Sequence, residues 1–168
     1  MRSFRVNLTT AVAIMLALWI SGCGGSSLPS LTPQQQEAQD AALAMLKELG
    51  AEVVLDEEHP DQPILEIYFL QVPVTDQHLE KLRGLAHIQL INLHGANISD
   101  VGLEHLKELD TLVELMLNST KITDAGVKHL EGLSNLKGIY LKDTRVTQNA
   151  EQQIKQAIPG LFVMRETN

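Results

Sequence analysis

Two histidines, His105 and His129, are the side chains best suited to chemistry by type and spacing, since they lie 24 residues apart in a repeating chain. A pair of imidazoles can bind zinc or copper, but such sites use further ligands. Lys81 occupies the matching position before His105, so no carboxylate or third histidine completes a set. We interpret both histidines as solvated residues of the repeat and keep a metal-binding protein or enzyme as an alternative.

No other motif of a catalytic or cofactor-binding type is present. The chain lacks a GxSxG nucleophile turn, a Gly-rich phosphate loop and an HExxH metal motif. Its one cysteine, Cys23, has no partner in the chain for a disulfide or a zinc knuckle. His59, His78 and His87 are predicted to lie at the surface. We therefore predict a non-enzyme with no catalytic residues, no metal and no cofactor.

The elements that carry these side chains repeat with a short polar motif. An apolar residue, a Thr or Ser and an Asp recur at the same 24-residue spacing. The copies are Val74-Thr75-Asp76, Ile98-Ser99-Asp100, Ile122-Thr123-Asp124 and the altered Val146-Thr147-Gln148. Self-similarity at so short a fixed period indicates stacked structural units, and it favours a binding surface over a catalytic pocket.

Each unit has a helical half and an extended half. After each Thr/Ser-Asp pair, apolar residues recur every three positions, as in Leu103, Leu106 and Leu109, which predicts a short helix. Thr75, Ser99 and Thr123 stand where an N-cap is needed, and the aspartates after them suit the positive end of the helix dipole. The extended half reads apolar-x-x-apolar-x-apolar, as in Leu112, Leu115 and Leu117, and predicts a short strand.

This pattern resembles the leucine-rich repeat, and more closely the ribonuclease-inhibitor-like bacterial type. Thr123-Asp124-Ala125-Gly126-Val127 through Leu141 and Thr144 matches that consensus almost position by position, and the resemblance covers about residues 64–164. It implies an α/β solenoid with a parallel sheet on the concave face and helices on the convex face. Thr120 and Thr144 fit the place after the strand where a hydroxyl serves the turn, whereas Val72 and Ala96 depart from it.

The two ends of the repeat domain, residues 37–168, are predicted to be modified as caps at about 34–63 and 147–164. At the start we expect a capping helix over 34–49, a short strand over 52–55 and an exposed loop over 56–63. The last unit has one extra residue before Pro159-Gly160-Leu161 and is expected to close the stack with a helix and a strand. Terminal repeats must differ because one face of each meets water.

Outward strand residues at equivalent positions form three rows across the repeats. The rows are Tyr68, Asn92, Met116 and Tyr140; Leu70, His94, Asn118 and Lys142; and Glu66, Leu90, Glu114 and Gly138. Exposed tyrosine and methionine are enriched at interfaces, so we predict that the first row, with His94, Asn118 and Lys142, binds a partner. The alternative is that these side chains only pack along the sheet.

The N-terminus has the features of an address and an anchor. Arg2 and Arg5 precede an apolar run, Ala11 to Ile20, which is too short for a span of roughly 20 residues but suits a signal peptide. Ile20-Ser21-Gly22-Cys23 resembles the lipobox of bacterial lipoproteins. That resemblance implies that cleavage between Gly22 and Cys23 removes residues 1–22 and that Cys23 is acylated. It also implies a location in the bacterial envelope, at the outer membrane. Gly, Ser, Pro and Gln predict a flexible tether over residues 23–36.

Composition limits the partners. Without Arg2 and Arg5 the 13 Lys and Arg fall to 11, against 21 Asp and Glu, which argues against nucleic acid. We predict a monomeric, lipid-anchored envelope protein that binds an unknown protein partner through its sheet. A structural spacer without a specific ligand is the alternative.

Overall fold

The computed structural model describes residues 28–165. Its helices are α1 (Pro33–Leu49), α2 (Asp76–Glu80), α3 (Asp100–Glu104), α4 (Asp124–Lys128) and α5 (Gln148–Ala157). Its strands are β1 (Glu52–Leu55), β2 (Ile64–Tyr68), β3 (Leu90–Asn92), β4 (Glu114–Met116), β5 (Gly138–Tyr140) and β6 (Phe162–Met164). Among the described residues, no helix combines the length and the apolar character needed to cross a bilayer.

The six strands form one sheet in chain order, β1 to β6. From β2 onward the strands are parallel, and each residue pairs with the one 24 positions later on the next strand. One row across the sheet is therefore Ile67, Ile91, Leu115, Ile139 and Val163. β1 is antiparallel to β2 and begins the sheet. One short helix stands between successive parallel strands from β2 to β6. This topology confirms the α/β leucine-rich repeat solenoid.

The extra residue predicted before Pro159 does not shift β6 relative to β5. This corrects the expectation that the final unit is one residue longer than the others. Gly138 pairs with Phe162 and Tyr140 with Met164, which is the same register as in the preceding pairs. Gly160 takes a left-handed φ of 87°, and Leu161 behind it is buried. The turn and the shifted leucine thus close the core, and the strand itself keeps the period.

The core is a single column of mostly aliphatic side chains, with Phe69 as its one aromatic member, between the sheet and the helices. Its central row is Ile67, Ile91, Leu115 and Ile139, each 0 % exposed. Burying such a side chain contributes about 1.5–3 kcal/mol relative to leaving it in water. Because each unit is thin, its apolar residues are covered by the units on either side, so stacking is a condition of folding.

Hydrogen bonds within the recurring Thr/Ser-Asp motif join successive repeats, and we name them the Asp ladder. Each Asp carboxylate accepts from the backbone N–H and the hydroxyl of the Ser or Thr 23 residues later. For Asp100 and Thr123 the two distances are 2.8 and 2.7 Å. The rungs are Asp76 with Ser99, Asp100 with Thr123, and Asp124 with Thr147. The aspartates therefore fasten each repeat to the next.

The Asp ladder refines the predicted capping. Thr75, Ser99 and Thr123 are N-cap residues as expected, but the Ser99 hydroxyl donates to Asp76 and accepts no bond within its own helix. The Thr123 hydroxyl does both, since it also accepts from the Ala125 N–H at 3.2 Å. The hydrogen bond from the Thr147 backbone N–H is the main cause that holds the pKa of Asp124 below its usual value.

Gly102 and Gly126 lie two residues after Asp100 and Asp124, and each leaves space for the Asp carboxylate of the preceding repeat. A Cβ built on Gly102 would collide with the Asp76 carboxylate, and one on Gly126 with that of Asp100. His78 holds the same position in the first repeat, before the first rung. Glycine thus borders the incoming carboxylate at the first two rungs, whereas Ala150 stands in the equivalent place at the third, where Asp124 still accepts from Thr147.

The N-terminal segment is bound to the domain where a free tether is predicted. The His59 ring nitrogen Nε2 donates to the Leu28 carbonyl at 2.9 Å, and that of His87 donates to the Pro29 carbonyl at 3.0 Å. The Leu31 N–H donates to Asp61 at 2.8 Å, and α1 begins at Pro33. His59 and His87 are each 7 % exposed, so the prediction of surface histidines is wrong for this pair. Because His59 is buried, the prediction that the 56–63 loop is exposed is wrong for that part of the loop.

Candidate functional site

The strand face that points away from the helices, here named the sheet face, carries the predicted rows in register. Strand pairing aligns Tyr68, Asn92, Met116 and Tyr140, and it adds Met164 as a fifth member. The same pairing aligns Glu66, Leu90, Glu114 and Gly138 and adds Phe162. The two rows lie two residues apart along each strand and so share one face.

Part of the sheet face packs on itself. Tyr68, Leu90, Met116 and Tyr140 form an apolar cluster separate from the main core. Met116 is only 8 % exposed and Leu90 is fully buried, so the expectation of an exposed methionine is wrong. The physical reason is that the large rings on the strands either side cover these two side chains. Both tyrosines remain half-exposed at the edge of the cluster.

Exposed apolar groups lie beside this cluster. Phe162 is 56 % exposed, Met164 42 % and Leu70 41 %. Val101, in α3, is the other large apolar side chain exposed among the described residues. Three of these four side chains thus lie on or next to the sheet face. Phe162 and Met164 were missed from sequence, although one further step of 24 from Gly138 and Tyr140 reaches them.

Carboxylates flank the apolar cluster. The Tyr68 hydroxyl donates to Glu66 Oε2 at 2.6 Å. Burial, followed by this bond and by the nearby carboxylates, raises the pKa of Tyr68, and burial and Glu114 raise that of Tyr140. Glu114 Oε2 is buried and accepts no hydrogen bond within the described residues. Burial first, and then the charge of Glu66, raises the pKa of Glu114.

The second predicted row has a structural component. Asn92 Oδ1 accepts from the His94 N–H at 3.0 Å, and Asn118 Oδ1 accepts from the Lys142 N–H at 2.9 Å. These asparagines therefore order the turns that follow the strands, where Ser119 takes a left-handed φ of 57°. His94 and Lys142 expose their side chains at this edge.

The hydroxyls expected in the turns are present. Thr120 Oγ1 donates to the Leu117 carbonyl at 2.6 Å and Thr144 Oγ1 to the Leu141 carbonyl at 2.8 Å. Val72 and Ala96 stand at these positions in the earlier repeats and cannot make the bond. The turn hydroxyl is thus a feature of the later repeats alone.

His105 and His129 lie on the helical side, away from the sheet face. They are the C-cap residues of α3 and α4, and Lys81 has the same place after α2. Both rings are only partly exposed, and Nδ1 of His105 is buried without a hydrogen-bond partner among the described residues, so the interpretation as solvated residues holds only in part. Within residues 28–165 no group of three or more His, Cys, Asp or Glu is placed to hold a metal ion. Gly22 and Cys23 lie outside the described residues.

No protein-family model and no curated protein matches the chain. Among solved structures, the chain is similar to an internalin (inlF) from Listeria monocytogenes, with 13 % identity, a TM-score of 0.38 and 60 % of this chain covered. It spans 40 % of the length of that internalin. The internalin inlC2 of the same organism has 12 % identity, a TM-score of 0.20, and coverage of 84 % of this chain and 100 % of its own.

Proposed function

We propose that this chain is a lipid-anchored envelope protein whose sheet face binds another protein and catalyses no reaction. The observation that carries this proposal is the exposure of Leu70 at one end of the tyrosine cluster and of Phe162 and Met164 at the other, where β2 and β6 lie four strands apart. Exposed apolar groups on a rigid surface lose little conformational entropy on binding and gain from burial. The main core and the Asp ladder supply that rigidity.

A spacer without a ligand is the second candidate, favoured by one observation. Tyr68 and Tyr140 already pack on Leu90 and Met116, so part of the sheet face is satisfied without a partner. The two candidates differ in what touches Phe162, which the packing leaves more than half exposed. A spacer has no preferred neighbour at that residue.

Site-specific photocrosslinking separates a binder from a spacer. The full chain would carry p-benzoylphenylalanine in place of Phe162 and, in a matched control, in place of the exposed helical Val101. We expect irradiation of native cells to give one discrete adduct of higher mass from position 162 and none from position 101. An absence of adducts from both positions would favour the spacer.

The anchor is proposed on Cys23. The lipobox-like sequence supports it, and Leu28, where the chain is already bound by His59, lies only five residues later. Five extended residues reach at most about 18 Å. A lipid on Cys23 would therefore hold the N-terminal edge of the solenoid close to the membrane, with little of the predicted tether to spare.

Replacement of Cys23 by serine tests the anchor. Because the chain has one cysteine, we expect Cys23→Ser to abolish incorporation of an alkyne-labelled fatty acid and to move the protein out of the membrane fraction. The unaltered chain in the same cells is the positive control. Labelling that persists in Cys23→Ser would rule out acylation at this site.

A further inference from the structure

The part of the sheet face around Gly138 combines a residue without a side chain, covered by its neighbours, with an unsatisfied carboxylate. Gly138 lies in the row of Glu66, Leu90 and Glu114 and contributes no side chain to it. A Cβ there would meet Glu114 Cγ and Tyr140 Cε2, each at 3.6 Å, so these two side chains border the position. Glu114 Oε2 is buried beside it and accepts no bond within the described residues. A buried carboxylate oxygen of this kind is costly unless a donor reaches it.

The charges that raise the pKa of Glu114 and Tyr68 all belong to carboxylates. The charge of Glu66 raises the pKa of Glu114, and the charges of Glu52, Glu66 and Glu114 raise the pKa of Tyr68. Glu66 already accepts from the Tyr68 hydroxyl, whereas Glu114 Oε2 has no donor within the described residues. Because the Glu114 side chain is partly exposed, a rotation of its carboxylate would bring this oxygen to a partner. The field therefore attracts a cation, and the oxygen of Glu114 provides a specific acceptor for one.

The surrounding side chains suit the stem of a basic residue. Tyr140 borders the position, and Phe162 continues the row on the next strand. Aromatic faces attract guanidinium and ammonium groups, and long basic side chains lay their methylenes on apolar surface while the head stays polar. A carboxylate bordered by an aromatic ring thus matches both parts of an arginine or lysine side chain.

Resting on the proposed function, we infer that the partner presents a basic segment whose arginine or lysine side chain lies at Gly138, between Tyr140 and Phe162, and donates to Glu114. Glu66 adds attraction from β2. The apolar groups Met164 and Leu70 contact the flanking residues of that segment. The partner's interface is accordingly basic at its centre, which complements the net negative charge of this chain.

The first test combines the crosslinking probe at position 162 with Glu114→Gln. Glutamine keeps the shape of glutamate and removes its charge, so we expect the yield of the adduct to fall about tenfold. Glu131→Gln, an identical change at an exposed residue of the helical half of its repeat, is expected to leave the yield unchanged. A full yield with Glu114→Gln overturns the basic partner while leaving the proposed function intact. No adduct even in the unaltered background overturns the proposed function itself.

Folding of the variant is checked separately. The raised pKa of Glu114 means that the folded chain binds its proton more tightly than the unfolded chain does. The charged form therefore opposes folding, and this penalty disappears as the pH falls through the folded pKa towards 4.5. We expect Glu114→Gln to unfold at the same temperature as the unaltered chain at pH 7 or at a higher one, so a loss of adduct reports on binding.

The second test uses synthetic peptides and the purified full chain. The probe is a ten-residue Thr/Ser peptide with two arginines, and its control has citrulline in their place, which keeps the shape and removes the charge. Calorimetry is expected to give about tenfold tighter binding of the arginine peptide, and Glu114→Gln is expected to remove that preference. Equal affinity for the two peptides, including no binding of either, overturns the inference. Concentration-dependent dimers joined through position 162 also overturn it, because a second copy would then be the occupant.

Discussion

Replacement of Asp100 by alanine is expected to lower the free energy of unfolding by about 2–4 kcal/mol. The change removes a carboxylate that accepts two hydrogen bonds, one from the Thr123 N–H and one from its hydroxyl. It leaves the Thr123 N–H without its acceptor in a half-buried place between repeats. Hydrogen bonds to charged groups are among the stronger ones, and partial exposure reduces the loss. Urea titration followed by circular dichroism measures it.

The matched control for this change is Asp110→Ala. Asp110 is exposed in the same repeat and its carboxylate makes no rung of the Asp ladder. We expect its loss to change the free energy of unfolding by no more than about 0.5 kcal/mol. Equal effects of Asp100→Ala and Asp110→Ala would contradict the Asp ladder. A lower denaturant slope for Asp100→Ala would mean that the two halves of the stack unfold separately.

Replacement of Gly126 by alanine is the second large effect, and its sign is opposite to the usual one. Alanine in a helix is ordinarily more favourable than glycine by about 1 kcal/mol. Here the added methyl collides with the Asp100 carboxylate, so the carboxylate must shift, and a shift weakens its bonds to Thr123. We expect a destabilisation of about 1–3 kcal/mol, measured by the same urea titration.

Two comparisons test the origin of that loss. Gly132→Ala places a methyl where no atom lies within 4 Å, so it should be neutral or stabilising. In a chain that already carries Asp100→Ala, the collision is absent, and Gly126→Ala should then cost little or stabilise the helix. Additive effects of Asp100→Ala and Gly126→Ala in this cycle would show that the glycine serves some other purpose.

Repetition made the architecture predictable, because one period had to satisfy a helix and a strand in every copy. Ile67, Ile91, Leu115 and Ile139 are buried in the sheet as their spacing indicates. The role of Asp100 was not predictable in the same way. A helix N-terminus explains an aspartate after an N-cap locally, and the bond to Thr123 crosses to the next repeat. The local pattern therefore explains why an aspartate follows the N-cap, but it does not reveal the bond to the next repeat.

The candidate site shows the same limit of local reasoning. Period-two alternation placed Tyr68 and Tyr140 on the outward face, but the burial of Met116 depends on side chains from neighbouring strands. His59 and His87 are buried because they bind Leu28 and Pro29, contacts 31 and 58 residues away. Phe162 was within reach of the pattern, and it was missed because the extra residue was assigned to the last turn.

The central claim is that the sheet face, and no other surface, meets the partner. The comparison of photocrosslinks from positions 162 and 101 in the full chain tests it most directly, since Phe162 and Val101 are similarly exposed, at 56 % and 59 %, and lie on the two sides of the solenoid. We expect one discrete adduct from position 162 and none from position 101. An adduct from position 101 alone, or the same adduct at equal yield from both, would contradict it.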